Sequence, residues 1–408
     1  MKQGNALSLM KGWEIKKLRD VILEIKDGGT PSRTKPEYFG GDVSWCVVKD
    51  ISPEIYSTRE NLTELGLSKC SAKVWPINSV IISLGATIGQ VGIAKIPVAT
   101  KQGISGIIVN QTLLKPELLV YYLNFQKDFI QRAATGATIK EVRPSKLADI
   151  LDFPLPPISE QHRIVAILDD AFAKIGKAKA NAEQNLKNAK ELFDCVLNSI
   201  LKDKKWEVKE LGEVCSKVEY GSSTKSATEG EIPVLRMGNI QNGRFTWDDL
   251  VYSDNKEDNK QYLLKFNDVL FNRTNSPALV GKTAIYKSEM PAIFAGYLIR
   301  LHRKEDLIDA DFLNYYLNSK IANDYGKTVV ISSVNQANIN GTKLKTYPIP
   351  IPSLKEQQTI VQKLDGLSAE TKKLEAIYQQ KINDLEELKK SVLQKAFSGE
   401  LKTAKALV

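Results

Sequence analysis

One stretch of this chain occurs twice, and that repetition narrows the possible folds more than anything else in its 408 residues. Pro154–Asp169 aligns without a gap on Pro350–Asp365, and eight of the sixteen pairs are identical. Each copy leads from a proline-rich segment into about forty residues that have helical periodicity and no proline. Two long helices are expected.

The second copy opens with a capping box. The Ser353 hydroxyl and the Glu356 carboxylate can each satisfy an amide donor that the helix start leaves unpaired. Pro350 and Pro352 lie just outside, where they disfavour helix. Leu364, Leu367, Thr371, Leu374, Tyr378, Lys381, Leu385, Leu388 and Val392 then recur at alternating spacings of three and four, as in a coiled-coil seam. Only Thr371 and Lys381 break the apolar run. The first copy runs through Leu168, Ala171, Ile175, Ala178, Ala182, Leu186, Ala189, Phe193, Val196 and Ile200, and two consecutive fours around Ala182 locally unwind a strict heptad. Its alanines imply close approach to a partner helix. The first copy has Pro157 where the second has Ser353, so it lacks the box, and Ser159 is the candidate cap one turn later. At about 1.5 Å per residue each helix would be roughly 60 Å long. Such a helix cannot bury its stripe alone, so the two copies are expected to pack on each other as an antiparallel pair. Ordinary core helices of separate domains are the competing reading, but these average far shorter.

The duplication is wider than the helices. Trp13–Leu18 recurs as Trp206–Leu211, and Tyr121–Asn124 as Tyr315–Asn318, so landmarks stay in step at offsets of 193, 194 and 196. The chain therefore reads as two tandem units of about 195 residues, a pseudo-dimer and not a solenoid. The fold class expected is α+β, with mixed globular domains over 11–157 and 204–352 and spacer helices over 158–203 and 353–401. Strands are expected near Asp42–Val48, Ser79–Ser83, Glu231–Met237 and Asp268–Asn272, and short helices over Leu118–Ile130 and Phe312–Tyr325. The globular parts diverge far more than the helices, which suggests one job done on two targets.

A net charge of +9 and a pI near 9.0 suggest an acidic partner, most commonly nucleic acid. Cys46, Cys70, Cys195 and Cys215 are scattered, and His162 and His302 are the chain's two histidines, so a structural zinc site is not expected. The N-terminus has no apolar run of signal-peptide length, and glycine, serine and threonine break the most apolar stretch, Val80–Ile93. A cytoplasmic protein with reduced thiols and no membrane contact is expected.

Ser276–Thr283 ends in Gly281-Lys282-Thr283 after a predicted strand and invites comparison with a phosphate-binding loop. Ser276 replaces the leading glycine, Pro277 removes an amide donor, and Ala284-Ile285-Tyr286 reads as strand, not helix. Gly85, Gly89 and Gly92 fit no dinucleotide fingerprint either and are expected to serve turns. No G-x-S-x-G motif, histidine-paired nucleophile or N-P-P-Y methyltransferase signature occurs, so the chain reads as a non-enzyme.

What the globular parts do offer is hydrogen-bonding side chains and arginines at strand ends and loops. In the second unit these are Arg236, Asn239, Asn272, Arg273, Thr274, Asn275, Lys282, Asn335, Gln336 and Asn338. In the first they are Lys49, Lys101, Gln102, Lys140, Arg143, Ser145 and Lys146. Arginine pairs with guanine through two hydrogen bonds and asparagine or glutamine with adenine, so these residue types suit a base-reading surface. Taken singly, each is as well explained by a solvated loop or a cap, and Lys202–Lys205 as a solvated linker. Together, on a basic chain, they favour DNA.

Pro154–Gln161, Pro348–Gln357, Val234–Ile240, Val269–Thr274 and Leu393–Leu401, at this spacing, resemble the specificity subunit of type I restriction-modification systems over nearly the whole chain. The resemblance implies two target-recognition domains, each reading one half of a split double-stranded DNA site, with the helices as spacer. It implies two modification subunits docked on the helical region, where Glu160, Gln161, Ile164, Glu356, Gln357 and Ile360 are the candidate contacts. Those partners would bring S-adenosylmethionine, and a restriction subunit would bring ATP and magnesium, leaving this chain without a cofactor. Antiparallel helices would let both domains face one side of a duplex about one turn, roughly 34 Å, apart. The alternative from another class is an adaptor whose helices gather protein partners without touching bases.

Overall fold

The computed structural model describes residues 12–136, 140–202, 206–332 and 336–401. Its two compact units are residues 1–181 with 381–408, and residues 182–380. The long helices are Ile158–Leu201 and Leu354–Phe397, each of 44 residues, so each unit holds a segment of both.

In the first unit, strands Ile22–Asp27, Ile104–Val109, Val80–Ser83, Val91–Ala94 and Glu54–Ile55 lie side by side in that order. A four-stranded sheet joins Glu60–Leu62, Phe39–Cys46, Val98–Thr100 and Val74–Trp75. The nearly continuous apolar runs Val80–Ser83 and Val91–Ala94 are buried on both faces, as such runs should be. Leu118, Tyr122 and Phe153 form one core with Ile164, Val165 and Leu168 of the first long helix and Val392, Ala396 and Phe397 of the second. The helix segments run antiparallel here. The Arg163 guanidinium donates to the Leu401 carbonyl at 3.0 Å, the Lys389 ammonium lies 5.1 Å from the Phe172 ring centre, and Lys179 pairs with Glu386.

The second unit is built on a six-stranded sheet ordered Cys215–Tyr220, Leu298–Arg303, Val269–Asn272, Thr283–Ile285, Arg244–Phe245 and Ile240–Gln241. Beside it lie the three-stranded sheets Val251–Ser253, Ile232–Leu235, Ile293–Phe294 and Thr274–Asn275, Ala337–Asn338, Ile331–Ser332. Its main core takes Leu197 and Leu201 from the first long helix and Leu364 from the second.

The duplication legible in the sequence reappears bond by bond. Glu14–Lys17 pairs antiparallel with Asp152–Leu155, as Glu207–Glu210 does with Pro348–Ile351. The Gln161 amide accepts from the Lys115 N–H at 2.9 Å and donates to the carbonyls of Leu113 and Pro156 at 2.7 and 2.9 Å. Gln357 accepts from Asp309 at 2.8 Å and donates to Leu307 and Pro352, both at 2.9 Å. The Tyr121 hydroxyl donates to Asp169 and that of Tyr315 to Asp365, each at 2.5 Å. In both units this fastens the helix start to the globular part.

Several expectations change. Pro157 itself precedes the first helix, its carbonyl accepting from the amides of Glu160 and Gln161, so Ser159 lies inside the helix and is not the cap. The Ser353–Glu356 box is present, with contacts of 3.0 and 3.4 Å. Each expected short helix is two: Pro116–Phe125 then Lys127–Arg132, and Ala310–Asn318 then Lys320–Val329, the last capped by the Ser319 hydroxyl. Leu388 is exposed, because the buried stripe there passes through Val392, Leu393 and Ala396. Gly92 serves no turn. It lies inside a strand, where an added Cβ would sit 1.9 Å from the Ser52 carbonyl oxygen.

Candidate nucleic-acid interface

Strand register decides which loops meet. In the first unit Asp27 faces Ser105 and Ser83 faces Ile104, while Cys46 and Thr100 end side by side on parallel strands. The loops 28–35, 47–50, 84–90 and 101–103 therefore share one rim of the unit. In the second unit Tyr220 faces Ile299, Asn272 faces Leu298, and Leu235 ends beside Phe294. Loops 221–231, 236–239, 273–282 and 295–297 form the matching rim.

The two rims share a backbone frame. The Val47 amide donates to the Asp50 carboxylate at 2.9 Å, and the Arg236 amide to the Asn239 side-chain oxygen at 2.9 Å. The Leu84 amide donates to Gly103 at 2.8 Å and the Arg273 amide to Tyr297 at 3.0 Å. Val142 donates to Leu84 at 2.9 Å, and Ile339 to Arg273 at 2.8 Å. Gly89 and Gly281 both close the third loop with left-handed backbones, φ +91° and +94°, which explains the glycine of Gly281-Lys282-Thr283 without a bound phosphate.

Candidates from separate segments thus converge. In the first unit, Lys49, Lys101 and Gln102 lie on the rim, with Lys49 and Gln102 exposed. Arg143 and Ser145 begin the helix Pro144–Ile150 and are exposed, as is Lys140, whereas the Lys146 ammonium donates to the Ala133 carbonyl at 2.8 Å. Asp27 accepts from the Gly103 amide at 3.1 Å, and burial pushes its carboxyl above the usual range. In the second unit, Arg236, Asn239, Asn275 and Lys282 line one cleft of about 610 Å³ together with Gln241, Asp248 and Asp249. Arg273, Thr274, Gln336 and Asn338 adjoin it on the small sheet and its loop. Asn335 lies outside the described residues.

Not every candidate can meet a ligand as it stands. Asn239 is buried, donating to the Asp248 carbonyl at 2.8 Å while it caps the turn at Arg236. Asn272 is fully buried and donates to the Leu279 carbonyl at 3.3 Å. Thr274 is buried and accepts from the Asn338 amide at 2.7 Å. These shape the loops from within. On the helices, Gln161, Gln357 and Ile164 are fully buried, Glu160 grips Arg163 at 2.6 and 2.8 Å, Glu356 completes the cap, and Ile360 packs on the second core. Burial takes Gln161, Gln357 and Ile164 into the joint between helix and globular part, whereas Glu356 stays exposed and Glu160 and Ile360 are half-buried.

The sequence reading missed the rim aromatics. Tyr220 is 41% and Tyr297 50% exposed, and Met237 stands beside the cleft. A tyrosine ending a strand carries no periodic signal, so only the fold exposes its place. Among the described residues, no group of three His, Cys, Asp or Glu could hold a metal ion, and no helix is long and apolar enough to cross a membrane. Burial pushes the Cys46 and Cys215 thiols up to about 12, which keeps them protonated and unreactive.

The duplicated frame with a basic, donor-rich rim in each copy agrees with a family match. The type I restriction modification DNA specificity domain matches residues 10–187 and again 203–387. The chain belongs to this family. Among curated members, it is 32% identical over 260 residues to the MjaIX type I restriction enzyme specificity subunit of Methanocaldococcus jannaschii, covering 57% of this chain and 59% of that one. It is 27% identical to the StySPI specificity subunit of Salmonella potsdam, over 82% of this chain and 77% of the relative. Two solved structures share the fold. One, a chain of a type I R-M system solved for its complex assembly and conformational transition, aligns over 96% of this chain and 99% of its own length, with a TM-score of 0.77 and 21% identity. The other, the HsdS subunit of Thermoanaerobacter tengcongensis, aligns over 98% and 100% with a TM-score of 0.62 and 22% identity. As a specificity-family chain, the protein has two copies of the recognition domain and two long helices, the architecture expected of it.

Proposed function

We propose that each unit reads one half of a split double-stranded DNA site through its rim, and that the long helices set the distance between the halves. The observation that carries this is the pair of rims, alike in backbone hydrogen bonds and unlike in side chains. A common frame keeps each reader in place, and the divergent donors let the two read different sequences. The helical region would dock two modification subunits, which would supply S-adenosylmethionine and methylate the DNA, with ATP-driven restriction subunits as further partners. The chain would need no cofactor and perform no chemistry, working in the cytoplasm as the address label of an enzyme assembly. The absence of a nucleophile–base pair in its sequence supports this reading, as do the names of its relatives.

Exchanging residues 13–153 for the corresponding domain of another family member tests the proposal. Sequencing of methylated adenines should then show one half of the recognised site changed and the other retained. A change in both halves, or in neither, would defeat it.

A further inference from the structure

The side chain of Arg273 is held in a way that no other rim arginine matches. Its guanidinium lies 4.9 Å from the centre of the Tyr220 ring, and its Nε donates to the Gly296 carbonyl at 3.2 Å. Those two contacts fix both the plane and the direction of the group. The ring is fixed in turn, since the Tyr220 hydroxyl accepts from the Gly341 amide at 2.8 Å. A Cβ at Gly341 would come within 3.1 Å of that hydroxyl and of Val218, so the closeness of this backbone is part of the arrangement. With Nε engaged, the two terminal nitrogens remain for a ligand, and they form the planar fork that matches the N7 and O6 acceptors of guanine. On the same rim, Arg236 turns a terminal nitrogen inward onto the Asp249 carbonyl at 2.5 Å.

In the first unit Arg33 also lies over aromatic rings, 4.8 Å from that of Phe39 and 5.0 Å from that of Trp45, but both its terminal nitrogens donate to the Glu60 carboxylate, at 2.5 and 3.2 Å, so its fork is occupied. By the shared hydrogen bonds, Leu84 occupies the place of Arg273 and Asp27 that of Tyr220. Leu84 is buried and Asp27 turns back to hold the Gly103 amide.

We propose that Tyr220 positions Arg273 as a rigid two-pronged donor that reads one guanine in the half-site of the second unit, and that the first unit reads its half without such a device. The inference rests on the proposed reading of DNA by the rims and adds which residue decides one base. A guanidinium already stacked and hydrogen-bonded loses little freedom on binding, so its two remaining donors discriminate sharply.

The test uses the full chain assembled with its modification subunits, reading the methylated sequences and the DNA affinity at several salt concentrations. Arg273→Lys keeps the charge and removes the fork. It should lower the preference for guanine at one position of one half by about tenfold or more, with non-specific affinity and its salt dependence unchanged. Tyr220→Phe keeps the ring face but loses the hydroxyl that fixes it and should weaken the guanine preference in part, whereas Tyr220→Leu should lose it as Arg273→Lys does. Undiminished guanine preference in Arg273→Lys would overturn the inference, and so would equal weakening on every sequence in Arg273→Ala, the mark of a phosphate contact. The half affected must be the one that exchange of residues 13–153 leaves alone. A wild-type assembly whose methylation showed no two-part site would remove the underlying reading, a result distinct from a two-part site indifferent to Arg273.

Discussion

Gly106 and Arg300 occupy the same place in their units, the second strand of the main sheet, and they show how far two copies of one frame can part. Gly106 lies under the indole of Trp75, so close that a Cβ would sit 2.1 Å from the ring. Arg300 instead reaches Glu219 at 2.6 and 2.9 Å and Asp268 at 3.1 Å, and His302 adds a contact to Glu219 at 2.8 Å. One unit fills its interior with an aromatic ring, the other with an ionic cluster. What the copies keep is the set of backbone bonds around these positions, and this allows side chains to change sign, size and polarity without moving the rim.

That contrast can be broken experimentally, and the largest effect is expected at the ionic cluster. Glu219→Ala leaves Arg300 buried without its main partner and should destabilise the second unit by about 3–5 kcal/mol. Hydrogen exchange should show the loss across 206–347, and equal loss in the first unit would deny the distinction. The same cluster predicts a response to acid. Burial pushes the Glu219 carboxyl up, but hydrogen bonds from Lys217, Arg300 and His302 outweigh it and hold the group down at about 2. Its stabilisation is complete above the ordinary carboxylate range and is lost as pH falls through about 2. Asp27, displaced upward, acts with the opposite sign, so its own protonation favours the first unit while acid removes the contribution of Glu219 from the second.

The joints should behave alike. Gln161→Ala and Gln357→Ala each remove three hydrogen bonds of a buried side chain and should lower stability by about 3 kcal/mol in their own unit, read as a fall in the denaturant midpoint. A large inequality would mean the two joints are not equivalent. Gly106→Ala should cost about 1–3 kcal/mol through overpacking against Trp75, again confined to the first unit by hydrogen exchange. The smallest effect is at the cap, where Ser353→Ala should lower thermal stability by about 1 kcal/mol.

The long helices, their capping box and the doubled architecture were legible because periodicity and repetition are one-dimensional signals. The strands Val80–Ser83 and Val269–Asn272 were legible as well, being short apolar runs between turn residues. Reading went astray where a residue's job depends on what lies across the fold. Gln161 and Gln357 read as contacts for a partner because they are polar and repeated, yet their repetition reflects a buried joint. Asn272 and Asn239 have the chemistry of base readers but are occupied in closing their loops. Convergence of Arg236, Asn275 and Lys282 on one cleft, and the stacking of Arg273 on Tyr220, are properties of strand register, which no spacing in the sequence encodes.

The glutamine joints have one more consequence. The side-chain amide of Gln161 hydrogen-bonds to main-chain atoms of Lys115, Leu113 and Pro156, and that of Gln357 to those of Asp309, Leu307 and Pro352. A grip on amides and carbonyls is blind to the side chains attached to them. A lineage could therefore swap one globular head for a stranger's, splicing genes just before the helix, and obtain a working chain with a new vocabulary in a single step.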